Sequence, residues 1–122
     1  MSKTGHTGWI GVDLDGTLAM YDGWKGADHI GEPVPAMLER VQRWLAKGER
    51  VKIMTARVAK SDWRPDEAAI EHCRQVIQDW TEKHLGVRLP VTNVKDYSML
   101  ELWDDRAVQI IPNTGLRADG KP

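Results

Sequence analysis

The chain has 122 residues, a formal net charge of −1, 41% hydrophobic and 29% charged residues, and one cysteine. That length suits a single domain with a real core and leaves no room for a second module. The charge balance excludes a broad electrostatic footprint for nucleic acid, Cys73 has no internal disulfide partner, and no apolar run is long enough to span a membrane. Residues 1–7 are polar and carry no visible secretory signal, so a cytoplasmic protein is expected.

The first element is an apolar, β-type run, Trp9-Ile10-Gly11-Val12, that stops at Asp13; Leu14, Asp15, Gly16 and Thr17 then turn the chain away. Residues 18–32 hold several glycines without periodicity and read as a flap. Pro33 is expected to open a helix with Val34, Met37, Leu38, Val41, Trp44 and Leu45 on one face and Gly48 just past its end. Arg50-Val51-Lys52-Ile53-Met54 is a second strand-like run, ending in Thr55, Ala56 and Arg57, and residues 56–64 read as a loop. From Pro65 a longer helix buries Ala69, Ile70, Cys73, Val76, Ile77 and Trp80 and closes near Leu85-Gly86. Residues 87–89 and 91–94 supply a short strand and a loop carrying Lys95. Strands over about residues 100–103 and 107–111 finish the sheet, and 116–122 form a loose tail. Strands alternating with helices build a parallel sheet with crossovers, an α/β fold.

Carboxylates at the C-terminal edge of a buried strand face the crevice where open α/β sheets place ligands. Asp13 and Asp15 stand there, and Leu102-Trp103 likewise ends in Asp104 and Asp105. Charges so close repel unless a cation or a shared proton relieves them, and Mg²⁺ takes oxygen ligands while leaving positions open for phosphate. A turn rich in Asp, Gly and Thr is the plainer alternative.

The order Asp13-x-Asp15, Thr55, Lys95, Asp104-Asp105 resembles the haloacid dehalogenase-like (HAD) superfamily over about residues 9–111, nearly the whole chain. The resemblance implies a three-layer Rossmannoid domain with helices on both faces of the sheet and an Mg²⁺-dependent phosphomonoester hydrolase working through an aspartyl-phosphate. By it, Asp13 is nucleophile and metal ligand. Asp15 is general acid and base with its backbone carbonyl on the metal, Thr55 bonds a phosphoryl oxygen, and Lys95 places charge beside it. Asp105 is assigned as the direct metal ligand, with Asp104 supporting it. Gly16, Thr17, Ala56, Arg57 and Arg106 are the expected substrate contacts. Residues 18–32 leave room only for a flap, so the chain reads as capless, which in this superfamily implies a large substrate or a partner, including a second copy, completing the site. The small size, Thr55-Ala56-Arg57 and Asp104-Asp105-Arg106 look like the phosphatase half of polynucleotide kinase-phosphatases, pointing to a nucleotide or nucleic-acid end. The alternatives are a non-catalytic HAD-fold domain binding a phosphorylated partner, and a phosphotransferase.

Other residues carry two readings each. Arg57 and Arg106 either grip phosphate bidentately or make surface salt bridges. Trp24 stacks on a nucleobase or packs locally as a lid, Trp63 is open, and His29 is near enough to the flap to touch substrate. Trp9, Trp44, Trp80 and Trp103 read as core, and Cys73 as structural. His72 and Cys73, adjacent on a helix and without a second pair, argue against zinc.

Overall fold

The computed structural model describes residues 8–62 and 66–122. Its elements, in order, are β1 (Trp9–Val12), α1 (Pro35–Ala46), β2 (Val51–Met54), a one-turn 3-10 helix (Ala56–Val58), α2 (Glu67–Leu85), β3 (Val91–Thr92) and β4 (Met99–Trp103). The four strands form one sheet in the order β3-β2-β1-β4, every pair parallel. The expected start of α2 at Pro65, and Trp63, lie outside the described residues. Asp66 caps α2, its side chain accepting from the Ala69 N–H at 2.7 Å, and Gly86 ends it at φ +80°. Among the described residues, no helix is long and apolar enough to cross a membrane.

Helix α1 begins later than the expected Pro33. Pro33 bridges to Ala19, and the Val34 N–H donates to the Leu18 carbonyl at 2.8 Å, so Pro35 is the first proline free to open the helix. Residues 87–89 form no strand, because Leu89 is held by α2. Its N–H donates to the Thr81 hydroxyl at 3.1 Å, and its carbonyl accepts from the Gln78 amide at 3.0 Å. Residues 107–111 do not join the sheet either. They fold back on the tail, with Ile110 bridging Arg117 and the Ile111 N–H donating to the Leu116 carbonyl at 2.9 Å, so the tail is a small return and not loose.

The expectation of helices on both faces is corrected. From β1 to β2 to β3 the chain steps in one direction across the sheet, and right-handed crossovers then place α1 and α2 on the same side. The core agrees: Met37 and Val41 of α1 and Ile70, Cys73 and Ile77 of α2 pack in one cluster with Ile10, Val12, Val51, Ile53 and Val91. These strand residues are in register with one another and point to one face. The opposite face carries Trp9, Gly11, Leu100 and Leu102, with the two leucines exposed. Residues 93–98 strap that face on the way from β3 to β4. Asp96 accepts the Trp9 indole N–H at 2.8 Å, and Lys52 lies 4.6 Å over the Trp9 ring, so among the described residues Trp9 is covered there by a strap and a lysine, not by a helix.

Candidate metal centre and cleft

Parallel pairing brings four chain segments to one edge. Asp13 leaves β1 with its N–H donating to the Trp103 carbonyl at 2.9 Å, which sets it beside Asp104 and Asp105 at the end of β4. Thr55 leaves β2 with its N–H donating to the Thr92 carbonyl at 2.9 Å. After Asp13 the chain turns tightly, the Leu18 N–H donating to the Asp13 carbonyl at 3.2 Å and the Ala19 N–H to the Leu14 carbonyl at 2.8 Å. Gly16 sits in that turn at φ +90°, and a Cβ there would stand 2.6 Å from the Asp105 Oδ2. Both its backbone angle and its bare Cα are therefore required.

Asp13, Asp104 and Asp105 each offer an oxygen, and these oxygens lie within 4.8 Å of one another. The Thr17 hydroxyl joins two of them: it faces Asp105 Oδ1 at 3.2 Å and Asp13 Oδ2 at 3.5 Å, and accepts the Asp105 N–H at 3.0 Å. Burial, a hydrogen bond with Asp105 and the charges of Asp104, Asp105 and Asp15 raise the Asp13 carboxyl from its ordinary 3.8 to about 7. A cluster that costs this much to ionise fits a hard divalent cation, which oxygen ligands and clustered negative charge suit. The Asp15 side chain stands outside the trio.

Asp15 belongs instead to Arg57. The guanidinium grips it bidentately, Nε to Oδ2 and Nη2 to Oδ1, both at 2.8 Å. Nη2 also donates to the His29 carbonyl at 2.9 Å and Nη1 to the Ala27 carbonyl at 3.4 Å, while the Trp24 ring lies 4.8 Å from the guanidinium carbon. Arg57 is buried, at 5% exposure, with its own N–H on the Thr55 hydroxyl at 3.1 Å. The guanidinium expected on phosphate is thus held on a carboxylate.

A cleft of about 1440 Å³ opens over this edge, lined by Asp13, Asp15, Thr55, Ala56, Arg57, Asp104, Asp105 and Arg106 among the expected residues. Gly16 and Thr17 shape the acid cluster from beneath and are not in the lining. Lys95 is exposed and outside the lining; it lies within the strap that leads away, and Asn93 at the start of that strap reaches the cleft. Tyr21, Trp24, Met54 and Leu102 also line it. Of these, only Trp24 carried a readable signal, as an aromatic in a glycine-rich flap. Trp80 and Cys73 are core as expected, and Trp103 packs edge-on to Trp44 at 5.2 Å. His72 pairs with Asp28 at 2.6 Å, both exposed, and His29 enters through its backbone carbonyl.

No protein-family model matches the chain, and no curated protein sequence does so either. Among solved structures it is similar to a conserved protein coded by a locus from Bacteroides thetaiotaomicron, 22% identical, covering 85% of this chain and 80% of that one with a TM-score of 0.45.

Proposed function

We propose that the chain is a HAD-type, Mg²⁺-dependent phosphomonoester hydrolase acting on a nucleotide or a nucleic-acid end. The observation that carries the reading is the trio Asp13, Asp104 and Asp105 gathered at the C-terminal edge of β1 and β4, with Thr55 and Asp15 in the same cleft wall. Asp13, Asp104 and Asp105 are the side chains that would hold the cation, which when bound would neutralise charge on Asp13 and on the phosphoryl oxygens. An Asp13 oxygen attacks phosphorus in line, the bond to the leaving oxygen breaks, and that oxygen takes a proton from Asp15. A water then attacks the aspartyl-phosphate, gives its proton to Asp15, and inorganic phosphate leaves with Asp13 restored. Thr55 bonds a phosphoryl oxygen. Positive charge comes from Arg106 in the cleft wall and from Lys95, whose exposed side chain starts on the loop beyond Asn93. A wide cleft with Tyr21 and Trp24 half exposed in its wall favours a large substrate with a planar group.

Phosphate release from an aryl phosphate tests this. Release is expected with Mg²⁺, to be lost with chelator, and to vanish in Asp13→Asn, while 3′- and 5′-phosphorylated oligonucleotides and mononucleotides turn over faster than sugar phosphates. Folded, Mg²⁺-loaded chain that is inert on the whole panel would sink the reading.

A further inference from the structure

The flap is tied to Asp15 through one side chain. Gly23 and Gly26, at φ +131° and +103°, bend the chain on either side of Trp24, and its ring comes to lie against the Arg57 guanidinium, 4.8 Å from its central carbon. The flap also offers Arg57 the carbonyls of Ala27 and His29. The adjacent edge of the same planar guanidinium, formed by Nε and the shared Nη2, holds both Asp15 oxygens at 2.8 Å. A guanidinium is a rigid fork, so fixing its plane fixes the direction of the carboxylate it grips. Two carbonyls constrain one edge of that plane, but neither stops it tilting about the line through them. The Trp24 ring, lying against the guanidinium 4.8 Å from its carbon, limits that tilt.

We propose that Trp24 is a positioning residue for Asp15, acting through Arg57: the flap sets the aim of the carboxylate at the cleft. This gives a role to a half-exposed tryptophan on the flap beside the site. The part of the proposal that concerns proton transfer rests on the hydrolase reading; the part that concerns geometry does not.

The geometric part is read on the metal-free full chain by ¹H–¹⁵N NMR, from the exchange of the Arg57 Nε–H with solvent. The resonance is identified by its loss in Arg57→Lys. A proton held on Asp15 and covered by the Trp24 ring exchanges slowly. In Trp24→Ala it is expected to exchange about fivefold faster, and in Trp24→Phe, which keeps a ring face, within about twofold of the parent. The Trp9 indole N–H, bonded to Asp96 on the far face, reports an intact fold in both variants. Unchanged Arg57 exchange in Trp24→Ala overturns the proposal, as does a Trp24→Phe signal as fast as that of the alanine variant. The catalytic part is read from kcat. Trp24→Ala should lose several-fold more on an alkyl phosphate, whose leaving group needs a proton, than on an aryl phosphate, with Trp24→Phe restoring the difference. Equal losses on both overturn it. Parent chain that releases no phosphate from either ester sinks the hydrolase reading, and the exchange measurement still decides the geometry.

Discussion

Gly16 shows how one missing methyl group holds a site together. Its φ of +90° is hostile to L side chains, and any Cβ would press on the Asp105 carboxylate at 2.6 Å. Gly16→Ala therefore strains the turn by about 1–2 kcal/mol and pushes Asp105 away from Asp13 and Thr17. The expected outcome is a fall in thermal midpoint with Mg²⁺ affinity weakened at least tenfold, measured by calorimetric titration; unchanged affinity would mean Asp105 is not a ligand. The carboxylates themselves were legible because each ends an apolar run. The partner of Arg57 was not, since Asp15 lies 42 positions away and only the folded chain brings the two together. The family resemblance makes Thr17 a substrate contact; its hydroxyl is engaged by the acid cluster, which spacing alone does not reveal.

The elements follow from their own sequences where local signals dominate, and depart where a neighbour intervenes. β1, β2 and both helices were readable because apolar periodicity and the Gly48 and Gly86 stops are local. Residues 87–89 have strand-like composition but meet Thr81 and Gln78 first, and residues 107–111 pair with their own tail instead of the outer edge of β4. The side of the sheet that each helix takes depends on strand order, which no single segment encodes. Helix α2 begins with a cap legible after the fact: Asp66 accepts the Ala69 N–H, and Glu67 stands in the first turn. Asp66→Ala is expected to lower stability by about 1 kcal/mol with no change in metal affinity. Chemical denaturation monitored by circular dichroism checks the first half and calorimetry the second.

For the whole molecule, the acid cluster links metal, pH and stability. Asp13 keeps its proton in the folded state up to about 7, against 3.8 ordinarily. The folded chain thus binds more protons than the unfolded one between these values, so this group's stabilising contribution is full below about 4 and is lost as pH rises toward 7. The carboxylates of Asp22, Glu71, Asp96 and Asp119 are lowered by their partners, so their contributions fade only in acid, below their ordinary range. The metal-free chain should therefore lose thermal midpoint between pH 4.5 and 7.5 at low salt. Asp13→Asn should flatten that slope, and Mg²⁺ should raise the midpoint more at pH 7.5 than at pH 5. Differential scanning fluorimetry across pH, with chelator or Mg²⁺, reads all three; a slope unaltered by Asp13→Asn would place its origin elsewhere.

The strand order also carries a consequence in time. Thr17 and Asp105, joined across the cluster, stand 88 residues apart in the chain, because β4, the last described strand, pairs beside β1, the first. Pairings between distant segments are slow to form, since the chain entropy of closing so long a loop must be lost before any contact repays it. α1 and α2 with β2 and β3 can gather earlier from nearer neighbours. The acid pocket is then expected among the last parts of the molecule to come into being, and a cation that needed all three carboxylates would be taken up by a chain whose folding is nearly done, not by one still searching for its shape.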